Sequence, residues 1–394
     1  MLSSAFMLVD IDKRFFMKTL QLGTSWFLEE AGGLARVYYG CVNYLPKVGV
    51  EVNGLVAGSD RIFQSSGGKV QTFAATNSST WLRSLGVRKA FNQAIANSEF
   101  DLVASHFALY TLPLLDRLGD RPLVMHFHGP WALESRAEGA GRLSTWGKWA
   151  VEKLVYRRAN GFIVLSESFR QVLHKTYNVP LEKIFIVGGG IDTAEFSLDL
   201  TIAQARAKLG WQQDRRIILC VRRLVQRMGL ENLIASIALV RKQHPHVLLL
   251  IAGKGAIAEN LRSQIQELQL EDHVQLLGFV PDQDLAIAYR AAELSIVPTI
   301  SLEGFGLIVI ESLAAGTPVL GTPIGGIPEI LRPFSSDLVL AGSTTNHLAQ
   351  GISEALSGQR KMPSAEACQA YIKQNYDWQV IAAQMKSVYE QIIR

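Results

Sequence analysis

The stretch with the most chemistry in it reads Glu303-Gly-Phe-Gly-Leu-Ile-Val-Ile-Glu311-Ser-Leu-Ala-Ala-Gly316-Thr-Pro318. Gly304 and Gly306 leave the backbone free to approach a ligand closely. A helix opening near Leu307 would present unpaired N–H groups and the positive end of its dipole, so the two features together make an anion cradle. Glu311 falls in the first turns of that helix, where it can accept hydrogen bonds from neutral hydroxyls, and Glu303 lies on the loop before the glycines. Carboxylates beside a phosphate repel it unless each faces a hydroxyl. A sugar nucleotide, with phosphates between two polyols, suits that demand; the spacing alone also allows a capped helix with an incidental acidic pair.

Other residues carry weaker signals. Arg222-Arg223-Leu224-Val225-Gln226-Arg227-Met228-Gly229 supplies guanidinium groups that can chelate a diphosphate. Lys254, between Gly253 and Gly255, could touch phosphate or be an exposed loop lysine. His126-Phe127-His128-Gly129 follows an apolar strand, which sets His128 at a strand end, and His106 ends the strand after Asp101 in the same way. Gly32-Gly33 opens a helix. Asp10 and Asp12 have the form of a metal-binding pair, but they sit in a leader outside every other motif and are set aside. Cys41, Cys220 and Cys368 are far apart and form no C-x-x-C, which argues against a disulfide framework or a zinc site and for a reducing compartment.

The elements that must position these residues alternate. Strands are expected at 20–23, 52–56, 102–105, 123–127, 161–165 and 184–187, with helices from Gly33, at 83–96 and at 147–158. Beyond Gly188-Gly189-Gly190, taken as a flexible joint, the scheme repeats: strands at 217–221, 247–252, 274–277, 294–298 and 318–321, helices at 230–244, 257–268, 282–290, 307–315 and 328–331. This is the α/β pattern of two doubly wound parallel sheets, whose sites lie outside the carboxyl ends of the strands. Two such sheets face to face would put the chemistry in the cleft between them.

The E-x7-E pair and its surrounding phrase resemble family 4 of the retaining glycosyltransferases. The resemblance extends to Arg222 through Gly229, Ala252 through Gly255, Leu277 through Pro281, Gly325 through Glu329, Gly32-Gly33, His126 through Gly129, Ile191 through Phe196 and the final helix with Trp378. It implies the GT-B fold: a Rossmann-like acceptor domain at 18–187, a Rossmann-like nucleotide-sugar domain at 191–372, and a terminal helix at 373–394 packing back on the first domain. It implies that Glu311 holds ribose hydroxyls, that Phe305, Gly306 and Leu307 offer N–H groups to the diphosphate beside Gly304, that Phe279 and Val280 shape the base pocket with Gly278 and Pro281, and that Lys254, Gly32 and Gly33 stand near the donor. Glu303 would bind donor-sugar hydroxyls, Arg223 the leaving phosphates, and His128 the reacting sugar and phosphate. Where the family places a lysine before the glycine this chain has Met228, so Arg227 is expected to supply the second cation. No metal or other cofactor is expected. The Arg222-to-Gly229 phrase also looks like that of bacterial, particularly cyanobacterial, exopolysaccharide enzymes, including those of the heterocyst envelope, which makes UDP-glucose the first-guess donor and a lipid-linked glycan the expected acceptor. A sugar-nucleotide epimerase or hydrolase and a non-catalytic sugar-nucleotide-binding scaffold are the rival readings.

Composition bounds all of this. Hydrophobic residues at 48% and charged residues at 19% describe a folded chain, not a disordered one. The net charge of +4 comes from the first half, too mild for nucleic acid but suited to anionic lipid or substrate. No apolar run nears the ~20 residues of a membrane span. The leader lacks the apolar core of a signal peptide and Met17 could be the start, so a cytoplasmic protein is expected, peripheral on the membrane if the basic, tryptophan-bearing segment 136–158 lies on lipid. The same segment could equally be a solvated helix with its tryptophans in the core.

Overall fold

The computed structural model describes residues 17–30 and 32–394. Asp10, Asp12 and the leader lie outside them. The first sheet holds β1 (Met17–Leu22), β2 (Val50–Ala57), β3 (Val70–Ala74), β4 (Leu102–Ser105), β5 (Leu123–Phe127), β6 (Gly161–Val164) and β7 (Ile184–Ile186), in the order β3-β2-β1-β4-β5-β6-β7. Every neighbouring pair is parallel. Its two faces bury separate apolar clusters, Leu20, Leu22, Phe91 and Phe127 on one and Val37, Val52, Val56 and Ile163 on the other. That is why strands such as Leu102–Ser105 are apolar on both sides and do not alternate. Gln21, between Leu20 and Leu22 on β1, is a fully buried polar exception.

The second sheet holds β8 (Arg216–Val221), β9 (Val247–Ala252), β10 (Val274–Gly278), β11 (Leu294–Val297) and β12 (Val319–Gly321), in the order β10-β9-β8-β11-β12, again all parallel. In both sheets the order reverses beside the first strand, and loops leave the carboxyl ends there to face each other. Two Rossmann-like sheets, each wrapped by helices on both faces, make the GT-B architecture expected.

The glycine joint is packed, not loose. A Cβ at Gly189 would lie 2.6 Å from the Leu307 side chain and one at Gly190 2.5 Å from the Trp378 ring, so the crossing chain needs glycine for space. A second crossing runs beside it: Ile191 N donates to Tyr376 O at 2.9 Å and Trp378 N to Ile191 O at 3.0 Å. The terminal helix differs from the expected start at 373. Residues up to Tyr376 end the helix Ala365–Tyr376, whose Cys368 and Ile372 pack on the second domain, and the last helix is Trp378–Ile393. Asp377 separates them because its side chain accepts from Gln379 N at 2.9 Å, capping the new helix. Ile381, Met385 and Tyr389 of that helix pack on Val37 and Cys41 of the first domain.

Candidate active site

A cleft of about 780 Å³ lies between the carboxyl ends of the two sheets. It collects residues that sequence spacing alone could not join: Gly32, Gly33 and His128 from the first domain, and Arg223, Arg227, Lys254, Phe279, Val280, Glu303, Gly304, Phe305, Gly306 and Leu307 from the second. The cradle is built as the glycines required. Gly306 caps the helix Leu307–Ala314 at φ 96°, a left-handed conformation that favours glycine. Gly304 has no room for a side chain, since a Cβ there would meet the Phe169 ring at 2.5 Å, and its carbonyl accepts from Ser166 Oγ at 2.5 Å. The first domain thus touches the cradle directly.

Glu303 accepts from Thr299 Oγ1 at 3.2 Å and its Oε2 is ion-paired with Arg222, which also bonds Thr299. Oε1 makes no hydrogen bond among the described residues, so one oxygen is fixed and the other is left for the cleft. Arg222, next to the arginine that the sequence singled out, therefore orients Glu303. Glu311 is not on the cleft wall. It is buried behind the cradle, with Oε2 accepting from Tyr289 O–H at 3.0 Å and Oε1 lying 3.7 Å from Arg36 Nε. Arg36 belongs to the first-domain helix Gly33–Tyr44 and reaches Asp282 as well, at 2.7 Å.

Arg227, the residue expected to stand in for the missing lysine, lines the cleft, while Met228 is buried in the apolar core with Leu224 and Leu230. Arg227 Nη1 donates to Leu302 O at 2.8 Å, Nε to Glu138 Oε1 at 3.3 Å, and Nη2 lies 3.5 Å from Glu134 Oε1. Arg223, 57% exposed, reaches the same Glu138 oxygen at 3.4 Å. Burial raises the Glu134 carboxyl above its usual value, against the opposing pull of Arg227 and then Arg223. Lys254 Nζ sits 5.5 Å from the centroid of the exposed Phe279 ring.

His128 does not stand alone. It is stacked with His106 and His126, and His106 Nδ1 lies 2.9 Å from His128 Nε2. Burial pushes His126 down to about 3 and His128 down to about 4, and lowers His106 well below its ordinary value with help from the other two rings. All three are neutral at neutral pH. Cys41, His106 and His126 bring one ligand atom each within 4.8 Å of one another, an arrangement that could hold a metal. Both nitrogens of His106 and Nε2 of His126 are already hydrogen-bonded, and burial pushes the Cys41 thiol up to about 12, so the chemistry of the set disfavours an ion.

Sequence reasoning did not find Arg36, Tyr289, Glu134, Glu138 or Gln21. Each acts through a partner far away in the chain, and the only local sign was Gln21, a polar residue inside an apolar strand. In the segment 136–158 one tryptophan packs inward and the other does not. The helix Arg142–Arg158 packs Trp149 against the core and leaves Leu143 87% and Trp146 66% exposed. Among the described residues no helix is long and apolar enough to cross a membrane.

Residues 31–195 match the family described as Glycosyltransferase Family 4, and residues 201–378 the family described as Glycosyl transferases group 1. An uncharacterized glycosyltransferase of Methanocaldococcus jannaschii is 29% identical over 61% of this chain, and the match spans 62% of that relative's length. A glycogen synthase of Mycobacterium tuberculosis is 25% identical over 78% of this chain and 71% of its own. Among solved structures, the sucrose-phosphate synthase of Thermosynechococcus elongatus superimposes with a TM-score of 0.80 at 22% identity, covering 95% of this chain and 99% of that one. Anabaena HepE in complex with UDP and glucose does so with a TM-score of 0.78 at 20% identity, covering 95% and 100%. With its front half matched by one glycosyltransferase description, its back half by the other, and the fold shared along almost its whole length, the chain belongs to the glycosyltransferases and has the GT-B fold.

Proposed function

We propose that this protein is a retaining glycosyltransferase that moves a hexose, glucose as the first candidate, from a UDP-sugar to a lipid-linked glycan in exopolysaccharide synthesis. The observation that carries the reading is the meeting in one cleft of a glycine-lined helix N-terminus, two arginines and a half-free glutamate from the second domain with His128 from the first. The diphosphate would lie on the N–H groups of Phe305, Gly306 and Leu307, with Arg223 and Arg227 taking its charge as it leaves. Glu311 would take the ribose hydroxyls once Arg36 yields, and Glu303 Oε1 a hydroxyl of the sugar.

In the transfer, the bond from the sugar C1 to the phosphate oxygen breaks and one from C1 to the acceptor oxygen forms on the same face. The acceptor's proton passes to the leaving phosphate. The arginines and the helix N-terminus stabilise that departing charge, so the scheme assigns no step to a metal. The ligands of the HepE structures, UDP, glucose and UDP-glucose, support the choice of donor. Exposed Leu143 and Trp146 among the basic residues of their helix support an acceptor presented at an anionic lipid surface, from the cytoplasmic side.

Calorimetric titration with UDP, ADP and GDP, followed by UDP-glucose and UDP-galactose with product analysis, tests the reading. Preferred UDP binding with slow sugar release supports the transferase and names its donor. Binding with no sugar release under any acceptor would favour a scaffold, and no nucleotide binding at all would sink the proposal.

A further inference from the structure

The hydrogen bonds around His128 determine where its proton sits. Thr19 Oγ1 donates to Glu51 O at 3.1 Å, so its lone pairs must face a donor. That donor is Gln21 Nε2, at 3.2 Å, which also reaches Tyr389 O–H at 3.3 Å. The amide of Gln21 is thereby oriented with Oε1 toward His106 Nε2, 3.3 Å away, and an oxygen there demands a proton on that nitrogen. A neutral imidazole carries one proton, so His106 Nδ1 is a lone pair. Its partner at 2.9 Å, His128 Nε2, must then be the N–H. The other branch agrees: Tyr389, accepting from Gln21, donates to His126 Nε2 at 2.6 Å. Thr19, Gln21, His106, His126 and Tyr389 are all buried, so water offers them no alternative partners.

We propose that Thr19, Gln21 and His106 are positioning residues that hold the His128 proton on Nε2 and leave Nδ1 as the nitrogen that meets the ligand, an acceptor for a sugar hydroxyl and not a donor to phosphate. His128 lines the cleft, and its Nδ1 has no hydrogen-bond partner among the described residues. Turned the other way, His128 would present an N–H that favours a phosphate oxygen, so the buried network selects which part of the donor it touches. Only this last step rests on the reading of the cleft as a sugar-nucleotide site; the proton position does not.

The test is two-bond 1H–15N correlation spectroscopy of the full chain with 15N-labelled histidine, recorded at neutral pH without ligand, with the His128 signals identified by their loss in His128→Gln. The expected spectrum shows His128 as the single Nε2–H tautomer. Thr19→Val, close to isosteric, frees Gln21 to turn over, and Gln21→Met removes the amide. In both, His128 should divide between its tautomers, and sugar release from UDP-glucose should fall about fivefold, the effect of one lost neutral hydrogen bond. A wild-type His128 found as the Nδ1–H form or as imidazolium overturns the proposal even if neither variant folds. An undivided tautomer in both variants overturns it as well. Because the spectrum needs no donor, a confirmed tautomer in a protein that releases no sugar would count against the transferase reading and not against this one.

Discussion

Glu138 Oε1 lies 3.3 Å from Arg227 Nε and 3.4 Å from Arg223 Nη2, so one carboxylate of the first domain holds both arginines expected to bind the diphosphate. A bound diphosphate has to compete with it. Glu138→Gln keeps the shape and removes the charge, and should tighten UDP binding about threefold at low salt, in line with a partly exposed ion pair worth up to ~1 kcal/mol. Calorimetry against the wild type decides; weaker binding would mean that Glu138 instead holds the arginines in their productive geometry.

The two arginines should not contribute equally. Arg227 is packed and fixed on Leu302 O, whereas Arg223 is exposed and, among the described residues, tied only to Glu138. Arg227→Ala should weaken UDP binding on the order of tenfold to a hundredfold, as expected for a lost charge-assisted contact in a closed site, and Arg223→Ala by less. Turnover left unchanged by Arg223→Ala would refute its phosphate role.

Glu303 and Arg222 form a unit in which the arginine fixes one carboxylate oxygen and leaves the other for the sugar. Glu303→Ala should impair sugar transfer more than UDP affinity. Arg222→Met should do the same more mildly, because the carboxylate survives but loses its anchor. Equal losses of turnover and UDP affinity in Glu303→Ala would contradict this division of labour.

How much of this could be read in the chain depended on distance along it. The cradle was legible because Gly304, Gly306 and Glu311 fall within eight consecutive residues, and the sheets were legible as apolar runs. The strand Val70–Ala74 was missed because it sits at the sheet edge, with Gln71 and Thr72 breaking its apolar pattern. Glu311 was expected to be open to ribose, but the pairing with Arg36 depends on how the two domains sit, which no local period encodes. The same holds for Glu138 on Arg227 and for Gln21 on His106.

The buried histidines also make acid stability a test of the packing. His126 and His128 have folded values near 3 and 4, below the ~6.5 of an unfolded histidine, so between those limits the unfolded chain binds more protons than the folded one. Stability from these groups is therefore complete above about pH 6.5 and is lost as the pH falls below it, by at most ~1.4 kcal/mol per pH unit for each histidine. Denaturant unfolding midpoints should drop steadily from neutral pH toward ~4.5, and His126→Gln, which can still accept from Tyr389, should flatten part of that slope. A wild-type slope that the substitution leaves untouched would mean that His126 is protonated in the folded state, and the buried neutral network would have to be redrawn.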